Sequence, residues 1–317
     1  MQSLEFQRDS FIDQIYLSAK RNKDIFFLSA DFGAPALDRF RRDLKNQFVH
    51  CGISEQNMVN VAAGLALEGK KVFMYAMAPF VTLRCLEQHK CCSAIMNLPI
   101  NTIVAGIGLG YADSGPTHYA TEDVGVLKNI IGSNIFTASD SESSKMIAKF
   151  LVNKNIFSFT RLERLPVKRI YNNKDLSLSD INSGYKLFKS KIKNKLKKNL
   201  IISNGYQIHR IFDLFEKKKI KYPDQFDIVD LFKNEPFPLK LIKTLNNYKN
   251  IVVIDEQIKN SSILSSLSTA VAENDNKFKI KGFYLTDNYV FDNGGREKLL
   301  NNNGLSISQI NNYLNDL

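Results

Sequence analysis

The strongest constraint in this sequence is an alternation. Short, unbroken apolar runs are separated by stretches whose apolar residues recur at helical spacing. In the first half the runs are IFFLSA (25–30), KVFMYA (71–76), NTIVAGIG (101–108) and FSFTRL (157–162). A run without polar interruption is what a strand buried on both faces requires. Between them, residues 5–21 place Phe11, Ile12, Ile15, Tyr16 and Ala19 on one helical face. Residues 57–69, 81–95, 122–130 and 141–152 also read as helices, the first ending at Gly69. The pattern breaks over residues 166–198, which mix Pro166, Asn pairs, Gly184 and a lysine run. It then restarts with strands at 200–205, 226–232, 250–257 and 280–285 and helices at 208–218, 239–248 and 262–272. Strands alternating with helices dictate an α/β fold: two doubly wound domains, each with a mostly parallel sheet flanked by helices. The expected boundaries are a first domain at 1–168, a basic linker at 169–198 and a smaller domain at 199–317.

The net charge is +11, and part of it lies in Lys186–Lys198. A nucleic-acid surface of this kind would interleave stacking aromatics, and Phe188 alone does so here. Lysine and asparagine are abundant throughout the second half, so the run reads as a solvated face and no nucleic-acid partner is expected. No stretch approaches the roughly 20 apolar residues of a membrane span, and the N-terminus has no secretory pattern. Cys51, Cys85, Cys91 and Cys92 show no CxxC spacing. They read as reduced, mostly buried thiols of a cytoplasmic protein.

Four features carry possible chemistry. Glu55, in HCGISEQNM, follows a strand-like segment and opens a helix. In open α/β sheets ligands bind beyond the carboxyl ends of strands, although a first-turn carboxylate is also favoured by the helix dipole alone. Phe80 follows the strand 71–76, where an aromatic can stack on a planar heterocycle or simply fill the core. The loop GYADSGPTH (110–118) presents His118 as an acid/base candidate. Arg161, in TRLERLP, suits a phosphate or carboxylate as well as a salt bridge. No GxxxxGK[ST], GxSxG or tight His/Cys cluster is present, and GIGLG (106–110) is only a fragment of a dinucleotide fingerprint.

Taken in order, these features resemble the transketolase family. The strings LSADFGAPALDRF, GISEQNMVNVAAGLALEGKKVF, APFVTLRCLEQ, GYADSGPTHYATEDVGVL, TRLERLP, ISNGYQIHRIFDL, VVIDEQ and STAVAEN fall in family order and spacing. The resemblance runs from about residue 5 to the end. It covers the pyrimidine-binding and C-terminal domains, the C-terminal half of a full transketolase.

The resemblance implies thiamine diphosphate with Mg2+ as cofactor. Glu55 matches the glutamate that hydrogen-bonds the aminopyrimidine and favours its imino tautomer, which activates the thiazolium carbon. Phe80 matches the aromatic stacked on that ring, with Leu83 where many members place a second aromatic. His118 matches the histidine near the reacting carbons, with roles in donor-hydroxyl binding and proton transfer. Arg161 matches the arginine that holds a substrate phosphate. There are departures. Gly106 stands where familiar members have a second histidine. Ser114 stands at the donor-reading aspartate, for which Asp113 can substitute. Pro35 or Ala36 stands at a phosphate-binding serine. These imply an atypical sugar substrate, modified or nucleotide-linked.

The family binds the diphosphate and metal through an N-terminal domain with a GDG…N signature, which this sequence lacks. The resemblance therefore implies one subunit of a split transketolase, paired with an N-terminal subunit in an α2β2 assembly and assigned no metal ligand of its own. The alternatives are a β-type subunit of a 2-oxo acid dehydrogenase, a deoxyxylulose-phosphate synthase-like enzyme, or a non-catalytic partner subunit. The GPTH loop with TRLERLP favours transketolase over the dehydrogenase subunit.

Overall fold

A computed structural model describes residues 3–190, 199–272 and 277–317. The strands, in chain order, are β1 (Leu4–Glu5), β2 (Ile25–Ala30), β3 (Phe48–Gly52), β4 (Lys71–Met77), β5 (Ile100–Ala105), β6 (Asn134–Thr137), β7 (Ser158–Leu162), β8 (Val167–Lys168), β9 (Tyr185–Phe188), β10 (Asn199–Ser203), β11 (Phe226–Leu231), β12 (Lys233–Glu235), β13 (Asn250–Ile258) and β14 (Lys279–Leu285). The first sheet has the order β12-β6-β7-β5-β4-β2-β3 and the second β14-β13-β10-β11-β9. Both are parallel except at one edge, where β12 and β9 run antiparallel to their neighbours. The doubly wound expectation holds for both sheets.

Strand β4 shows why the apolar runs are continuous. Phe73 and Tyr75 pack into the core under the helices Gln7–Ala19 and Ser141–Val152. Val72, Met74 and Ala76 point the other way, under the helix Glu55–Leu67. Successive side chains alternate faces, so a strand covered on both sides must be apolar throughout.

The chain departs from the sequence expectations in four places. The stretch 185–188, placed in the basic linker, is β9, an edge strand of the second sheet paired to β11; residues 191–198 of the lysine run lie outside the described residues. The strand β12, from the second half of the chain, completes the first sheet. The helix expected over 81–95 is broken. A short turn at Ala78–Val81 ends where Thr82 Oγ1 bonds the Ala78 carbonyl (2.7 Å), and His89–Ile95 is a π-helix. Buried His89 satisfies Nε2 on the Val81 carbonyl (2.8 Å) across that break. Finally, of the four cysteines only Cys85 is buried, while Cys51 and Cys92 are half-buried and Cys91 is exposed; all four thiols are free. Among the described residues no helix is long and apolar enough to cross a membrane.

The two halves are fastened by buried polar groups. Asp230 of β11 is fully buried and accepts from Ser139 Oγ (2.5 Å) and Tyr171 Oη (2.7 Å). Burial, with Asp140 nearby, pushes its carboxyl up to about 7 despite those two donors. The native state therefore holds a proton that the unfolded chain releases near pH 4. The stabilisation is complete below the unfolded value and is lost as pH rises through about 7. The slope is at most about 1.4 kcal/mol per pH unit. The expected outcome is that the wild-type melting temperature, measured against Asp230→Asn from pH 5 to 8.5, loses ground between pH 5 and about 7 and levels off above that. A constant difference across that range contradicts the assignment.

Candidate active site

The parallel register of the first sheet brings the ends of β3, β4 and β5 to one side, and three of the sequence candidates lie there. Glu55 opens the helix after β3, Phe80 follows β4, and His118 sits in the loop after β5. The Glu55 residue is only 6% exposed. Its Oε2 accepts from Arg84 Nη1 (2.9 Å); among the described residues Oε1 has no hydrogen-bond partner. The Arg84 guanidinium also lies 4.4 Å from the centre of the Phe80 ring. A planar donor group thus rests on an aromatic face and on a buried carboxylate at once. These are the two contacts a flat aminated heterocycle makes, so the residues present fit the pyrimidine end of thiamine diphosphate.

His118 meets Phe80 edge-on, with ring centroids 5.3 Å apart, and lies 6.0 Å from the Tyr111 ring. Its Nδ1 is hydrogen-bonded to Thr117 Oγ1 (3.0 Å). The loop that carries it is closed by reciprocal backbone bonds between Gly108 and Ala120. The second domain pins the loop. Glu256 Oε1 accepts from the Leu109 amide (2.7 Å), and Gln257 Nε2 donates to the Ala120 carbonyl (2.7 Å). Gly108 has φ +56, and a Cβ there would lie 2.6 Å from Glu256 Oε1. Glycine is thus required by both backbone and neighbour. Gly106 is equally constrained: it has φ +86, and a Cβ would meet the Tyr111 ring at 1.9 Å. Tyr111 fills the space that a side chain at position 106 would need.

Asp113 is exposed and paired to Arg164 Nη1 (2.5 Å), whose guanidinium lies 4.3 Å over the Tyr111 ring. Glu55, Arg84, Phe80, His118, Tyr111, Arg164 and Asp113 therefore form one continuous line of contacts. Arg161 is not on it. It is 2% exposed, with Nε and Nη2 bidentate on Asp123 (2.8 and 3.1 Å) and Nη1 on Thr137 Oγ1 (3.0 Å). The expected phosphate contact at Arg161 is corrected accordingly. The residue lies inside β7 and its donors are spent on Asp123 and Thr137, whereas Arg164, three residues on and past the strand, is half-exposed. Sequence reading also missed Arg84, Arg164, Tyr111 and Glu256. The available signal was the second arginine of TRLERLP and the glutamate of VVIDEQ. Among the described residues no group of three His, Cys, Asp or Glu side chains is arranged to hold a metal ion.

Comparison with known proteins agrees with this geometry. Residues 8–165 match the family described as transketolase, pyrimidine binding domain. The chain is 36% identical over 169 residues to an apulose-4-phosphate transketolase subunit of Phocaeicola vulgatus, covering 53% of this chain and 54% of that protein. It is 28% identical over 169 residues to a 6-deoxy-6-sulfo-D-fructose transketolase subunit of a Clostridium species, covering 53% and 52%. These alignments span about half the length of either relative. Among solved structures, a split gene transketolase described as an inactive β4 tetramer superposes with a TM-score of 0.83 over 98% of both chains at 19% identity, a likeness of fold. With the Glu55, Phe80 and His118 arrangement inside the matched segment, the chain belongs to the transketolase family, and residues 8–165 are its pyrimidine-binding domain.

Proposed function

We propose that this chain is the C-terminal subunit of a split, thiamine-diphosphate-dependent transketolase. It transfers a two-carbon ketol unit between sugars once an N-terminal subunit supplies the Mg2+ and diphosphate site. The observation that carries this reading is the convergence of the Glu55 carboxylate, the Phe80 ring and the His118 imidazole at the ends of three parallel strands of one sheet, β3, β4 and β5. Relatives named as transketolase subunits support it.

When bound, the cofactor supplies the carbanion chemistry, and the protein supplies position and electrostatics. Glu55 holds a proton against a pyrimidine ring nitrogen through a carboxylate nearly closed to water. Phe80 fixes the plane of that ring. His118 keeps Nδ1 on Thr117 and offers Nε2 to a donor hydroxyl, so it can bind the donor and move a proton. Arg84 must release Glu55 and Phe80 as the heterocycle enters. Asp113 reads donor hydroxyls, and Arg164 attracts an anionic group at the far end of the sugar.

The substrate is proposed to be a modified sugar carrying an anionic terminus. The two relatives are named for a phosphorylated and a sulfonated sugar. The site keeps a half-exposed arginine, Arg164, while Tyr111 closes the space beside Gly106. The test is ketol transfer by the complex with its N-terminal partner. Transfer from xylulose 5-phosphate to ribose 5-phosphate is expected to be about 100-fold or more below that from the preferred donor, a difference of about 2.7 kcal/mol in transition-state binding. Full activity on the pentose phosphates overturns the substrate assignment and leaves the transketolase reading standing.

A further inference from the structure

Away from the candidate active site, a cleft of about 480 Å³ opens on the seam between the two domains. One wall is the segment Pro166–Lys168 and the other the helix Gly205–Glu216, with Leu4, Leu214 and Ile307 contributing apolar surface. The lining holds four cations, Lys168, Arg210, Lys217 and Lys219, against two acids, Asp213 and Glu297, together with His209. His209 spends Nε2 on the Ser139 carbonyl (2.6 Å). Lys168 and Lys217 both donate to Asp213 (2.9 and 3.0 Å). Lys219 is exposed and has no ion-pair partner among the described residues.

Arg210 is the unusual member. It is 6% exposed, with Nε on Glu297 (3.2 Å) and Nη1 on Gln207 Oε1 (2.9 Å). Its Nη2 is buried without a hydrogen-bond partner among the described residues. A buried guanidinium with an unfilled donor is costly to maintain, and such groups call for a missing acceptor. Glu297 is half-exposed, and its only ion pair among the described residues is with Arg210. Its carboxylate is therefore free to swing out and yield Arg210 to a better anion.

We propose that this cleft is a second, non-catalytic site for a small phosphomonoester. The phosphate displaces Glu297 from Arg210, engages Nη2 as the guanidinium turns to meet it, and draws in Lys219. The less polar body of the ligand lies against Leu214 and Ile307. A phosphate offers three acceptor oxygens to a forked donor and flanking lysines, where a carboxylate offers two. The volume suits a ligand of this class.

Isothermal titration of the full chain with phenyl phosphate, inorganic phosphate and phenol tests the site. Phenyl phosphate is expected to bind about tenfold more tightly than inorganic phosphate, and phenol not at all. Arg210→Gln is expected to weaken phenyl phosphate about tenfold or more, and Glu297→Gln to strengthen it about threefold by removing the competing carboxylate. The gain in the second variant cannot come from misfolding. Identical isotherms for the wild type and both variants, or binding of phenol as tight as phenyl phosphate, overturn the proposal. Glu55→Gln is expected to leave this binding unchanged, which separates the cleft from the ketol-transfer site.

Discussion

Glu55→Gln is expected to lower kcat of the reconstituted enzyme by about 1,000-fold while leaving its melting temperature within a few degrees of wild type. The substitution keeps the size of the side chain and its place at the start of the helix. It removes the carboxylate that would hold a proton at the pyrimidine ring, and it removes the charge that Arg84 now pairs with. That ion pair involves a 44% exposed arginine, so its loss costs little stability. The readout is steady-state turnover at saturating thiamine diphosphate, with thermal melts of both proteins as the control. Turnover within about threefold of wild type at intact fold would place Glu55 outside the chemistry and favour a non-catalytic role for the chain.

The two arginines of TRLERLP are expected to fail in opposite ways. Arg161→Gln strips a bidentate partner from Asp123, which is 0% exposed, and leaves Thr137 Oγ1 with one bond fewer. Breaking a buried pair on one side costs about 3–5 kcal/mol, so denaturant melts should show a large loss of stability. Arg164→Gln removes a surface pair with Asp113 worth well under about 1 kcal/mol. Its stability should hold. Its KM for an anionic donor should rise about tenfold or more, with kcat little changed, because a charge-assisted contact to the substrate is lost. A stable Arg161→Gln enzyme with a raised KM, beside an unaffected Arg164→Gln, would restore the assignment made from sequence.

The contrast between these two arginines, one buried on Asp123 and one half-exposed, shows where the sequence was informative. The alternation of apolar runs and helical spacing foretold both parallel sheets, because burial on two faces leaves a strand no choice of residue type. The antiparallel edge strands β9 and β12 left no such trace. Strand β12 is Lys233–Asn234–Glu235 and exists because β6 offers it an open ladder; three polar residues carry no strand signal. The terminal helices Arg296–Asn302 and Ile307–Asn315 were passed over as well. They are rich in asparagine; Leu299, Leu300, Ile310 and Leu314 are buried in the core, and Ile307 and Tyr313 pack partly against it.

The candidate site divides in the same way. Glu55, Phe80 and His118 lie at strand ends, which the order of elements locates. The partners that tune them come from tertiary packing. Arg84 reaches Glu55 across 29 positions, and Glu256 reaches Leu109 across 147. Arg161 lies at the end of β7, where the sequence puts it, but its donors turn to Asp123 and Thr137, a pairing that only tertiary packing creates. Its neighbour Asp123 sits in a helix that sequence reading placed correctly but did not bring to β7.

The most direct measurement of a shared site is ketol transfer, with thiamine diphosphate and Mg2+, by this chain alone, by its N-terminal partner alone and by the two mixed. Turnover is expected only in the mixture, rising with either chain to a fixed ratio. Turnover by this chain alone, or tight Mg2+-dependent cofactor binding by it alone, would contradict its role as the pyrimidine half of that site.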